Sequence, residues 1–194
     1  MIAIIDYDAG NVKSVQNALK KLGFEAVITS DIETIKNADK VIFPGVGEAS
    51  SAMKKLKERG LDTVIPNLKQ PVLGICLGMQ LMCNASEEGN TKALGIFDCE
   101  VKLFPNSDIV PHMGWNNVSE MKGKLLENIS EIDNFYFVHS YYAEIGESTT
   151  SVCNYITPFS ATLEKDNFYA AQFHPEKSGD AGFKLLENFL NVRF

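Results

Sequence analysis

No two cysteines of this chain stand in Cys-x-x-Cys spacing. The four present, Cys76, Cys83, Cys99 and Cys153, are scattered, so they read as reduced cytosolic thiols and not as a disulfide framework. With three distant histidines they also make a poor zinc set, so no metal and no cofactor is expected. No Gly-x4-Gly-Lys-Ser/Thr loop occurs, which argues against a P-loop nucleotide site. No apolar run is long enough to span a membrane. MIAIID at 1–6 is short, lacks a basic flank and ends at Asp6, so neither a signal peptide nor a membrane segment is expected. Basic residues are outnumbered, 18 against 25 acidic ones, and the net charge of -7 argues against nucleic acid as the main partner, because phosphate contact needs a basic stripe. There is no internal repeat, low-complexity segment or Pro/Gly-rich linker. The 194 residues are therefore expected to form one cytoplasmic domain, 1–194.

What is present is enough apolar material for a core, at 45% of the residues, and a clear alternation of patterns. IAIID at 2–6 reads as a buried parallel strand. Val12, Val15, Ala18, Leu19 and Leu22 form the stripe of an amphipathic helix, with Gly23 as its C-terminal cap. FEAVIT at 24–29 reads as a second strand, and Asp31 as the cap of a short helix. KVIF at 40–43 is a third strand running into PGVG. Ala49, Ala52, Met53 and Leu56 mark a helix stopping near Gly60, its KKLKER run being a solvated face. PVLGI is a fourth strand. Beyond residue 95 the pattern turns to short β-like runs at 98–103, 135–138, 152–156, 160–165 and 168–173. Asp166-Asn167 suits a tight hairpin turn between the last two. Phe183, Leu186, Phe189 and Leu190 mark a final helix. The fold class expected is α/β, a mostly parallel central sheet with helices on both faces and a β-rich C-terminal half.

One cysteine sits where chemistry is feasible. GICLG, residues 74–78, has the strand, tight turn and helix context of a nucleophile elbow with cysteine in place of serine. The helix N-terminus there favours the thiolate. The competing reading of Cys76 is an inert core thiol, as Cys83, Cys99 and Cys153 are taken to be. A nucleophile needs a base. His174 ends an apolar run, and the proline after it pushes it toward extended geometry, so the strand is expected to continue through Phe173 and His174. Glu176, two residues on, then shares its face and fixes the imidazole tautomer. The tripeptide taken alone also fits a surface turn. His139 in YFVHSYY competes as base but has no carboxylate two residues away. His112 sits in PHMGWN, which reads as a shaped surface loop. PGVG, at the same sheet edge as the elbow, frees the Val46 amide to form an oxyanion hole with the amide of Leu77. A peptidase on a similar sheet and a non-catalytic module remain rival readings, although the second leaves a nucleophile, an oriented base and oxyanion donors unexplained.

The motifs GICLGMQL and QFHPEKSG, with IIDYDAGNVKSV, PGVG, SEEG, PHMGWN and YFVHSYY, closely resemble those of class I glutamine amidotransferases over nearly the whole chain. The opening IIDY-x-AGN and the GWN element are similar to those of the glutaminase subunits of imidazole glycerol phosphate synthases. Asp8 stands where a glycine is common, and Cys83-Asn84 replaces a Phe-Glu-like pair. The resemblance implies a Cys76-His174-Glu176 triad that hydrolyses glutamine through a thioester, with Gly47, Gln80, Glu88, Ser140 and Tyr141 in the glutamine pocket. It also implies that ammonia passes to a separate (β/α)8-barrel cyclase subunit in a heterodimer. The alternative is a paralogue supplying a sugar-modifying or surface-polysaccharide enzyme. His112, Met113, Gly114, Trp115 and Asn116 are expected at the partner interface, since tryptophan is enriched at binding hot spots. The competing reading of Trp115 is a core aromatic.

Overall fold

A computed structural model describes residues 1–193. Strands and helices alternate through the first half: β1 (Ile2–Ile5), α1 (Val12–Lys21), β2 (Ala26–Thr29), α2 (Ile32–Lys36), β3 (Lys40–Gly45), α3 (Ala49–Glu58), α4 (Leu61–Val64), β4 (Val72–Cys76) and α5 (Leu77–Leu81). The second half is mostly strand: β5 (Ala85–Ser86), β6 (Thr91–Lys92), β7 (Glu100–Leu103), β8 (His112–Asn117), β9 (Asn134–His139), β10 (Tyr141–Ala143), β11 (Thr149–Tyr155), β12 (Thr157–Lys165) and β13 (Phe168–Ala171), closed by α6 (Gly179–Asn191).

Seven strands form the central sheet in the order β11-β12-β13-β4-β3-β1-β2. β2, β1, β3, β4 and β13 run parallel, while β12 and β11 add antiparallel edge pairings. Side chains alternate across the sheet, so each strand feeds two cores. On one face Val15 and Leu19 of α1 and Leu185 and Phe189 of α6 pack with Ile4 and Ile42. On the other, Ala52, Met53 and Leu56 of α3 and Leu81 of α5 pack with Ile5 and Phe43. The expected α/β class with helices on both faces is what forms.

Local signals act as expected at three boundaries. Asp31 accepts the Thr34 amide at 2.8 Å and caps α2. Gly23 adopts φ 84, and its amide donates to the Lys20 carbonyl at 3.0 Å, ending α1. Asp166-Asn167 turns β12 into β13 with Lys165 opposite Phe168. Other expectations need correction. β3 continues through Pro44 and Gly45, because Gly45 pairs with Cys76 across the sheet, leaving only Val46 and Gly47 as loop. PHMGWN is no loop: it forms β8, antiparallel to β9, with His112 opposite His139. Of a separate four-stranded sheet, order β10-β7-β5-β6, only β7 falls within an expected run, 98–103; β5 and β6 are two residues each, too short for any periodicity. Among the described residues, no helix is long and apolar enough to cross a membrane.

Candidate active site

The site begins where β4 meets α5. Cys76 adopts φ 54 and ψ -112, a region that costs a non-glycine residue on the order of 1–3 kcal/mol. Its glycine neighbours let the surroundings hold it there. A Cβ on Gly78 would lie 1.9 Å from the Phe43 carbonyl oxygen, and one on Gly74 would lie 2.4 Å from Met82 Sδ. The bend therefore needs glycine on both sides, and it puts the thiol on the wall of a cavity of about 330 Å³.

His174 lines the same cavity. It is reached by a turn and not by the continuous strand that was expected. β13 ends at Ala171, and Pro175–Lys177 form a 3-10 turn directly after His174. Proline suits the first position of such a turn, because its fixed φ is helical and its missing N–H has no partner to satisfy there. The His174 amide donates to the Tyr136 carbonyl at 3.0 Å, and Ser178 Oγ donates to the His174 carbonyl at 2.6 Å. The Tyr136 amide donates to the same Oγ at 2.9 Å. This lattice fixes the imidazole, and the turn brings Glu176 Oε1 to 2.8 Å from His174 Nδ1. Both side chains are buried. Burial opposes charge on His174, yet hydrogen bonding to Cys76 and Glu176, with the negative charge of each, outweighs it and pushes the imidazole up to about 10.

Every other residue expected in the pocket, Gly47, Gln80, Glu88, Ser140 and Tyr141, lines this cavity, as do Val46 and Leu77. Gln80 Nε2 donates to the Tyr141 carbonyl and to Gln172 Oε1, both at 2.9 Å. His139 also borders the cavity, but both its nitrogens are engaged: Nδ1 lies 2.7 Å from the Tyr141 carbonyl and Nε2 lies 3.0 Å from His112 Nδ1. Burial drives it down to about 3. Geometry thus joins Cys76, His174 and Glu176, and leaves His139 without a free nitrogen to act as base.

The class I glutamine amidotransferase family model matches residues 3–192. The chain belongs to that family. Its curated relatives include proteins described as imidazole glycerol phosphate synthase subunit HisH. That of Bacteroides fragilis is 59% identical over 194 residues, covering 98% of this chain and 99% of its own. That of Vibrio parahaemolyticus is 45% identical over 199 residues, covering 98% of each. A crystal structure of a glutamine amidotransferase, 19% identical, superposes with a TM-score of 0.74 over 98% of this chain and 97% of that one, showing the same fold.

Three further features of this amidotransferase escaped the sequence reading. Gln172 is fully buried, and its Nε2 points at Cys76 Sγ from 3.8 Å; its place two residues before His174 is the one signal that could have pointed to it. Glu48 caps α3 by accepting the Ser50 and Ser51 amides, and hydrogen bonds from those serines hold its carboxyl at about 2. Beside it Glu88 accepts the Ala49 amide at 2.9 Å, while burial raises its carboxyl. The surface reading of His112 was wrong, since it is buried and stacks on Tyr155 with ring centroids 4.1 Å apart. β8 alternates: His112 points inward, while Met113 and Trp115 are 64% and 59% exposed. Cys83, Cys99 and Cys153 are free and buried.

Proposed function

We propose that this chain is the glutaminase subunit of an imidazole glycerol phosphate synthase, a single domain working in the cytoplasm beside a separate (β/α)8-barrel cyclase subunit. The observation that carries the reading is His174, which is buried with Glu176 at 2.8 Å and lines the same cavity as a cysteine held at φ 54. Full-length identity of 59% to a protein described as HisH supports the pathway. The paralogue supplying a sugar-modifying enzyme is not favoured by any residue.

The chemistry follows from the placement. Nδ1 of His174 is held by Glu176, so Nε2 is the nitrogen left to exchange protons with Cys76. A thiolate paired with imidazolium is the nucleophilic state. Cys76 Sγ attacks the side-chain carbonyl carbon of glutamine, and the developing oxyanion takes hydrogen bonds from the amides of Leu77 and Val46. His174 protonates the leaving nitrogen, the C–N bond breaks and ammonia departs, leaving a glutamyl thioester. Water, deprotonated by His174, then attacks the thioester; the C–S bond breaks and glutamate is released. Glu176 touches neither sulfur nor substrate, so it is a positioning residue. Gln80, Glu88, Gly47, Ser140 and Tyr141 hold glutamine.

Ammonia is largely protonated near neutral pH and escapes if released to solvent, so a synthase is needed beside the site. The cyclase would add it to a phosphoribosyl-formimino carboxamide nucleotide. The test is to pair the purified chain with a histidine-pathway cyclase and follow product formation with glutamine or ammonium as nitrogen donor. Glutamine-dependent synthesis is expected only with both chains present. Glutamine hydrolysis without transfer to that cyclase would overturn the pathway.

A further inference from the structure

A hydrogen-bonded chain runs from β8 to the nucleophile, and its direction can be deduced from its ends. The Tyr141 carbonyl can only accept, so the His139 nitrogen 2.7 Å from it, Nδ1, must carry the proton. Nε2 of the neutral His139 is then an acceptor, and His112 Nδ1, 3.0 Å away, must be the donor. That leaves His112 Nε2 as acceptor, facing Asn116 Nδ2 at 3.4 Å. The Asn116 amide cannot be turned round. Its Oδ1 accepts the Asn117 amide at 2.9 Å, and its Nδ2 also donates to the Asn154 carbonyl at 3.3 Å. From the far side, Gln80 donates to the same Tyr141 carbonyl and to Gln172, whose amide approaches Cys76.

We propose that His112 and His139 form a neutral strut of fixed tautomer, both protonated on Nδ1, that holds the Tyr141 carbonyl and through it Gln80 in position for glutamine. Both histidines are therefore positioning residues for substrate binding, an assignment that rests on the glutaminase reading of the cavity. Three features fit this role beyond simple filling of space. All four ring nitrogens have partners, where an apolar core would have needed none. His112 is clamped between Tyr155 and Phe137, with ring centroids at 4.1 and 4.8 Å, so its ring plane is set before any substrate enters. The accepting carbonyl belongs to Tyr141 of the pocket wall, and losing the His112 Nδ1 donor leaves the buried His139 Nε2 unpaired and frees the ring that holds that carbonyl.

Two measurements on the full chain test the strut. Long-range proton–nitrogen NMR spectra of the 15N-labelled protein report histidine tautomers directly, and His112 and His139 are both expected protonated on Nδ1 alone. A proton on Nε2 of either ring overturns the proposal, whatever the catalytic data show. Kinetically, His112→Phe keeps the stack and removes the donor, whereas His112→Asn sacrifices the stack and keeps a donor near the Nδ1 position. In complex with a histidine-pathway cyclase, His112→Phe should raise the KM for glutamine by roughly tenfold, with kcat much less affected. His112→Asn should recover part of that loss. A core role without positioning reverses the order, with His112→Phe near wild type and His112→Asn worse, and that result overturns the proposal. Absence of hydrolysis in the wild-type complex would count against the glutaminase reading, while the tautomer spectra would still decide the strut.

Discussion

A Cβ at Gly78 would sit 1.9 Å from the Phe43 carbonyl oxygen, so α5 touches the backbone of β3 with nothing between. That contact sets the depth of the elbow, because Cys76 is two residues before Gly78 and its strand neighbour Gly45 is two after Phe43. The obstructing atom is backbone and cannot swing aside. Gly78→Ala should therefore destabilise by about 1–3 kcal/mol, the usual cost of overpacking. It should also displace the thiol from His174, so glutaminase activity should fall by more than the loss of folded protein. Urea denaturation and active-site thiol labelling on the same samples check both parts; a wild-type midpoint and rate would refute the contact.

Cys76→Ala should abolish glutamine hydrolysis, by at least roughly a thousandfold, and leave ammonia-dependent synthesis by the complex largely intact, because the thiol serves only the first half-reaction. His174→Ala should lose hydrolysis as well. His139→Ala should retain a measurable fraction, since both its nitrogens serve the strut and not proton transfer. Glutamate release, measured for each variant, decides the assignment. Reversed results for the two histidines would mean the wrong base.

Much of this was legible because the signals were local. The parallel half of the sheet follows from apolar runs alternating with helical stripes, and the elbow from two glycines about one cysteine. His174 beside Glu176 was also foreseeable, although through the wrong geometry: proximity survived because a 3-10 turn, like a strand, brings i and i+2 close. What could not be read was pairing at a distance. HMGWNN, residues 112–117, has a glycine and two asparagines, weak strand formers by local preference, and becomes β8 only because β9 offers a partner. That same pairing turned His112 inward and left Trp115 outside. Beyond its place two residues before His174, Gln172 shows no signal in the sequence, since its role exists only where Gln80 and Cys76 converge.

The histidines should titrate in opposite senses. Burial holds His112 at about 4 and His139 at about 3, while His174 is pushed up to about 10. In the unfolded chain all three take up protons near pH ~6.5. As pH falls from there toward 4 the unfolded state binds protons that folded His112 and His139 refuse, so these two lower stability on acidification and change nothing above that range. His174 has the other sign: its contribution is complete below ~6.5 and is lost as pH rises toward 10. Histidine resonances followed from pH 8 to 5 should show His174 charged throughout and the other two neutral. A titration of His112 or His139 centred near ~6.5 would refute their buried, neutral state.

Trp115 stands 59% exposed beside Met113 on the outer face of β8, a large apolar surface next to the strand that carries His139. An aromatic so placed, with small or polar neighbours, has the character of an interface anchor, and truncating such an anchor typically costs ~2 kcal/mol or more. Trp115→Ala should weaken binding to the cyclase roughly 30-fold, the same energy as a ratio. Being on the surface, it should leave the melting temperature of the isolated chain nearly unchanged. Titration calorimetry and thermal melting separate the effects, and unchanged affinity or global unfolding would each count against the interface.

The Val46 amide is the part of the site most open to control. Only Val46 and Gly47 stand between β3 and the α3 cap Glu48; Val46 is 41% exposed, and Gly47 sits at φ 101, where a side chain would be strained. Gly45 and Gly47 lower the cost of a second backbone setting for the Gly45–Val46 peptide, in which its carbonyl and not its N–H faces Cys76. Only the N–H setting completes the oxyanion hole with Leu77, and the loss of one such donor costs roughly 100- to 1,000-fold in rate. If the cyclase and its ligand select the productive setting, the isolated chain should be a poor glutaminase. Activation should then appear in the turnover number far more than in the Michaelis constant, because the missing donor acts on the transition state. Steady-state hydrolysis is to be compared for the free chain, the complex, and the complex holding an acceptor analogue. Equal turnover in all three would mean a permanently formed oxyanion hole, and a peptide at Gly45–Val46 that does not switch.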